Sequence, residues 1–132
     1  MKEYKIQIFE DDWATIKGSF ELANIFAFDN KLKFVVRAKS QDASFASWRD
    51  KFDAVFIDIT LAKNTKLDGY NILKEIKEKD LFDLNRVAIL TGNSKVVENL
   101  SEIGIDANSI KIIYKPIDFD SLSKEIKALL GI

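Results

Sequence analysis

The chain has 132 residues, 47% of them hydrophobic and 31% charged, the size and balance of one soluble globular domain with a real core, spanning 1–132. Its 20 Lys and Arg stand against 21 Asp and Glu for a net charge of −1, which argues against nonspecific nucleic-acid binding. It has no Cys and no His, so disulfides, thiol catalysis, Ser-His-Asp chemistry, imidazole ligands and phosphorylation of its own His are excluded, and any metal is a hard, oxygen-bound Mg²⁺ or Ca²⁺.

No apolar run approaches the roughly 20 residues of a membrane span. The N-terminus, MKEYKIQIFEDD, lacks the apolar core of a signal peptide. The absence of Cys fits a reducing cytoplasm, the expected location.

Lys5 to Phe9 reads as a short apolar strand running into Glu10, Asp11 and Asp12. Trp13 to Phe28 carries a helical stripe at 13, 16, 20, 23 and 27, with 22, 25 and 26 beside it, and Asp11 or Asp12 as N-cap. Leu32 to Ala38 is a second strand. Ser40 to Lys51 is a short helix that Ser40 can cap. Phe52 to Gly69 (FDAVFIDITLAKNTKLDG) holds the third strand. Its short, β-branched apolar run suits a strand buried on both faces. An ionised carboxylate is costly inside such a strand, so Asp58 belongs at its carboxyl end.

Gly69 to Phe82 is a helix with Ile72, Leu73 and Ile76 inward and Asp68 as candidate cap. Val87 to Leu90 is a fourth strand that ends at Thr91-Gly92. Ser94 to Ile103 is a helix with Val96, Val97, Leu100 and Ile103 on its inner face and Gly104 closing it. Ile110 to Tyr114 is a fifth strand, followed by Lys115-Pro116. Phe119 to Leu130 is the last helix. Five strands alternating with five helices predict an α/β doubly wound fold, a parallel sheet covered on both faces.

Ligands of such sheets bind at the carboxyl ends of the strands. Those ends carry Glu10 and Asp11, Asp58, Thr91, and Lys115. Like charges ~4 Å apart repel by about 4 kcal/mol at an effective dielectric near 20. Such an acid cluster is expected to hold a proton or a cation. Mg²⁺ with several retained waters suits a site with few oxygen ligands and solvent access. Thr91 and Lys115 supply donors for an anion beside it. A metal, anion donors and a carboxylate make a site for phosphoryl transfer to that carboxylate. Taken singly, each piece has an ordinary structural role: Asp58 ends a strand, the acids start a helix, Thr91-Gly92 turns, Lys115-Pro116 is a loop. Their joint placement at four strand ends favours the functional reading.

The segments IQIFEDD, FDAVFIDITL, the DG of LDGYNIL, VAILTGN and IYKP occur in order and at near-family spacing. With them the chain resembles the receiver domains of two-component response regulators over essentially its whole length. The resemblance implies a chemotaxis-protein-like, flavodoxin-like sheet of order 2-1-3-4-5. It implies that Asp58 is the phosphoacceptor and that Asp11 binds Mg²⁺ directly, Glu10 through water and Thr60 through its backbone carbonyl. It further implies that Thr91 hydrogen-bonds the phosphoryl group, that Lys115 pairs with it, and that Lys115-Pro116 is cis. The implied partners are a sensor histidine kinase or histidine phosphotransfer protein and a downstream effector protein or domain, with no direct nucleic acid and no membrane.

The chain departs from the family pattern in places. The loop from Leu61 to Leu67 is longer than usual, with Ala62 where Pro is common. Ile112 stands where an aromatic switch residue is usual, three before Lys115. By strand alternation, Tyr114 is the only aromatic of the fifth strand able to take over that readout. A receiver-like interaction module working without phosphorylation is the alternative, and the complete set Glu10, Asp11, Asp58, Thr91 and Lys115 argues against it. An enzyme is not expected. Phosphatases with an Asp nucleophile carry DxD, and here Asp58-Ile59-Thr60 lacks the second Asp. No G-x-G-x-x-G or G-x-x-x-x-G-K-[ST] is present.

Overall fold

The computed structural model describes residues 2–37, 48–59, 69–92 and 95–132. Strands β1 (Tyr4–Phe9), β2 (Leu32–Arg37), β3 (Ala54–Asp58), β4 (Val87–Thr91) and β5 (Lys111–Tyr114) form one parallel sheet in the order β2-β1-β3-β4-β5. The helices between and after them are α1 (Trp13–Ala27), α2 (Trp48–Lys51), α3 (Gly69–Lys79), α4 (Val96–Glu102) and α5 (Phe119–Leu130). This is the doubly wound architecture expected. β3 and β4, at and next to the centre, are buried at every residue, as continuous apolar runs in parallel sheets must be.

Strand alternation sorts the core into two layers. Phe9, Val55, Ile57 and Ile89 meet Trp48 of α2, Ile72, Leu73 and Ile76 of α3, and Val96 and Leu100 of α4. Ile6, Ile8, Phe56, Leu90 and Ile113 meet Phe20 of α1 and Leu122, Ile126 and Leu129 of α5. Phe20 is fully buried, edge-on to Phe34 and Phe56 at 5.5 and 5.3 Å and tilted against Trp13 at 5.2 Å. Asn24 ties α1 to β2: its Nδ2 donates to the Leu32 carbonyl at 3.1 Å and its Oδ1 accepts from the Leu32 N–H at 3.0 Å.

Several expected boundaries shift. Asp12 is the N-cap residue of α1, but its carboxylate accepts from the Thr15 hydroxyl at 2.8 Å and no side-chain cap bond forms. α3 stops at Lys79 rather than Phe82, because Asp80 turns left-handed (φ 50) and the Leu81 N–H closes onto the Ile76 carbonyl at 3.0 Å. An Asp tolerates that conformation through local hydrogen bonding. Val97, expected inward, is 47% exposed, as are Leu22 (41%), Ile25 (52%) and Phe26 (70%) beside the α1 stripe. Gly104 follows α4 with φ 78, and the Gly104 and Ile105 N–H groups cap Ser101 and Leu100, the close expected of it. The candidate caps Ser40 and Asp68, the start at Ser94 and the loop Leu61 to Leu67 lie outside the described residues.

Phe20 is fully buried and packs α1 onto β2 and β3, so Phe20→Ala is expected to cost about 3–5 kcal/mol. Urea unfolding followed by far-UV circular dichroism measures it. A loss under about 1 kcal/mol would mean the layer closes around the gap.

Candidate functional site

The strand ladders run one residue past several strand ends, and this places the polar side chains. Beyond β1, the Glu10 N–H donates to the Arg37 carbonyl at 3.0 Å; beyond β5, the Lys115 N–H donates to the Thr91 carbonyl at 2.8 Å; beyond β3, the Ile59 N–H donates to the Leu90 carbonyl at 3.1 Å. Phe9 pairs with Ile57 and Asp58 with Leu90. By alternation Glu10, Asp58 and Lys115 fall in phase with Ile8, Phe56 and Ile113, whereas Thr91 falls in phase with Ile89 and Ile112. Asp58 is the last residue of β3 and Thr91 the last of β4.

One ligand atom from each of Glu10, Asp11 and Asp58 lies within 4.8 Å of the others. Glu10 and Asp58 are buried at 1% and 7% exposure; Asp11 faces solvent. The Lys115 Nζ lies 2.7 Å from Glu10 Oε2 and 3.6 Å from Asp58 Oδ2. The other Glu10 oxygen accepts from the Asp12 N–H at 3.1 Å. Thr91 is buried at 1% exposure. Burial draws the Lys115 ammonium toward its neutral form, but the hydrogen bond to Glu10 and the charges of Asp58 and Glu10 outweigh it, holding its pKa above the usual 10.5. Lys115 therefore stays a cation at any physiological pH.

Among the described residues, three carboxylates gather around one ammonium, and two of the acids, Glu10 and Asp58, are buried. Oxygen donors only, one of them exposed, fit a hard divalent cation such as Mg²⁺. Thr60, the expected backbone ligand, lies outside the described residues. The Lys115–Pro116 bond is cis. Ile112 is half-buried against the α3/α4 layer, while Tyr114, opposite Thr91 in the β4–β5 register, is 50% exposed.

Gly69 has a role that the motif Asp68-Gly69 did not reveal. A Cβ on this residue would lie 2.5 Å from the Asp58 carbonyl oxygen, 2.5 Å from Ile59 Cα and 2.8 Å from the Ile59 carbonyl oxygen. The first turn of α3 thus rests on the backbone that carries Asp58, a contact only glycine permits.

A sequence profile described as the response regulator receiver domain matches residues 6–127. Among curated proteins, Response regulator protein PmrA of Pseudomonas aeruginosa is 32% identical over 80 residues, 61% of this chain and 33% of that protein. The match thus spans about a third of that relative's length. Among solved structures, the receiver domain of sensor histidine kinase PA1611 from Pseudomonas aeruginosa PAO1, with a magnesium ion coordinated in its active-site cleft, aligns with a TM-score of 0.71 at 20% identity, covering 98% of this chain and 99% of that one. Chemotaxis protein CheY4 of Vibrio cholerae aligns with a TM-score of 0.69 at 14% identity, covering 97% and 99%. At these identities the alignments speak for the fold.

Gly69→Ala sets a methyl group against backbone that has no rotamer to yield. It is expected to lower stability by about 1–3 kcal/mol, read from urea midpoints at constant m-value. An alanine variant as stable as the wild type would contradict the close approach of α3 to Asp58.

Proposed function

The chain belongs to the response regulator receiver domain family, and from that premise we propose that it is a single receiver domain in which Asp58 accepts a phosphoryl group. The observation that carries the proposal is the buried Asp58 carboxylate sharing Lys115 with Glu10, with Asp11 at the solvent side. The donor is a phosphohistidine of a sensor histidine kinase or histidine phosphotransfer protein, the 132 residues themselves holding no His. An Asp58 oxygen forms a bond to phosphorus as the donor's P–N bond breaks; the imidazole leaves and takes up a proton. The result is a signalling switch read by an effector protein, not an enzyme acting on external substrates.

Glu10, Asp11, Asp58 and the Thr60 backbone carbonyl are the residues that would hold Mg²⁺. That ion supplies the positive charge which lets a phosphoryl group approach three acids. Lys115 is held by Glu10 in the resting protein and is close enough to Asp58 to turn toward a phosphoryl oxygen as a point charge. The Thr91 hydroxyl, at the end of the neighbouring strand, donates to another. Ile112 has no ring to fill space behind Thr91, so Tyr114, across from Thr91, is the β5 residue placed to respond.

Incubation with acetyl phosphate and Mg²⁺, read by intact mass, is expected to add one phosphoryl group to the wild type and none to Asp58→Asn, with Lys115→Ala folded but impaired. Mg²⁺ alone is expected to change Trp13 fluorescence in the millimolar range, a response lost in Asp11→Asn. Phosphate recovered on Ser, Thr or Tyr would overturn the assignment of Asp58.

A further inference from the structure

Tyr70 is the second residue of α3 and Asn99 lies mid-way along α4. The Asn99 Nδ2 donates to the Tyr70 hydroxyl at 2.9 Å in a half-buried setting, joining residues 29 apart in sequence. Little slack separates this bond from Asp58. Tyr70 adjoins Gly69, whose missing Cβ leaves room only for the backbone of Asp58 and Ile59. α4 follows Thr91 along the chain, and its Val96 and Leu100 are fully buried in the layer on which Tyr70 packs. The Asn99 N–H is bonded to the Lys95 carbonyl at 3.1 Å, so its side chain is carried by a formed turn of helix.

The segments that leave β3 and β4 are therefore linked to each other just beyond the residues proposed to share the phosphoryl group. The chain has three tyrosines, and each sits differently. Tyr4 opens β1 at the opposite end of the sheet. Tyr114 stands half in solvent. Of the three, it is the Tyr70 hydroxyl that bonds a side chain of another element among the described residues.

We propose that the Tyr70–Asn99 hydrogen bond is a latch that holds α4 in its resting position and through which the state of Asp58 reaches α4. The proposal rests on the phosphoacceptor reading of Asp58. Drawing Thr91 toward a phosphoryl group on Asp58 moves the end of β4 while Gly69 stays seated on β3. The Tyr70–Asn99 bond spans that relative movement and opposes it. A group at Asp58 shifts α4 only by interacting differently with the latched and released arrangements, and a directional hydrogen bond supplies such a difference where Ile112 offers no hydroxyl. Tyr70→Phe keeps the ring in the core and removes only the acceptor.

The test is amide hydrogen exchange over residues 96–102 of the full chain, with and without beryllofluoride and Mg²⁺, in wild type, Tyr70→Phe, Asn99→Ala and the double variant. Phosphoryl incorporation from acetyl phosphate is measured on the same samples. Tyr70→Phe is expected to incorporate phosphate as the wild type does, and to speed α4 exchange about fivefold in the unliganded protein, the effect of losing one ordinary hydrogen bond. Beryllofluoride is expected to speed α4 exchange in the wild type and to add little in the variant. Asn99→Ala is expected to act likewise, and the double variant to match the singles. Normal incorporation with wild-type α4 exchange in Tyr70→Phe, or additive effects in the double variant, would overturn the latch alone. No incorporation into the wild type would overturn the reading of Asp58 and the latch with it.

Discussion

Glu10 and Asp58 are carboxylates taken out of water side by side, and Lys115 is the ammonium that both of them face. A buried carboxylate without a partner is expelled or protonated. Here the nearer contact is the one to Glu10, at 2.7 Å, and the longer one, at 3.6 Å, is to Asp58. Lys115 thus sits nearer Glu10 than Asp58, with the exposed Asp11 carboxylate in the same cluster. Carboxylates outnumber ammonium groups at this cluster among the described residues, and that acid-rich setting is the physical basis of its proposed chemistry. A divalent cation would offset the clustered carboxylates; a phosphoryl group would then add charge that Lys115 can meet.

The fold is arranged so that these acids meet at one place. Parallel strands buried on both faces cannot carry charges along their lengths. The acids and the lysine therefore stand where the apolar runs stop, at the carboxyl edge, and the order β2-β1-β3-β4-β5 sets β1, β3, β4 and β5 side by side there. Alternation gives Glu10, Asp58 and Lys115 a common phase and Thr91 the opposite one. Thr91 thereby leans toward the layer of α3 and α4, the same layer that holds Ile112 and Tyr70. Chemistry proposed on one side of the sheet edge thus has a neighbour on the other side.

The strands and their ends were readable in the sequence because burial on both faces leaves a plain mark: IQIF, AVFI, VAIL and KIIY each stop at a polar residue. The gathering of Glu10, Asp11, Asp58 and Lys115 at the sheet edge was legible for the same reason. Helix limits were less so. Asp80 takes a left-handed turn with no glycine to announce it, and Asp12 spends its carboxylate on the Thr15 hydroxyl. In α1 the apolar positions exceed one stripe, so periodicity did not say that Phe26 would be 70% exposed. Contacts between distant segments left no sequence mark at all. Neither the seat of Gly69 on Asp58 nor the Asn99–Tyr70 bond across 29 residues follows from spacing or residue type.

The central claim is that the Glu10, Asp11 and Asp58 carboxylates form one hard-cation site beside Lys115. Crystals grown with Mn²⁺, an oxygen-seeking ion that substitutes for Mg²⁺, would test it through anomalous diffraction. The account predicts one strong anomalous peak between those three carboxylates, absent from crystals of Asp11→Asn. A peak elsewhere with none at this cluster, or the same peak in Asp11→Asn, would contradict it.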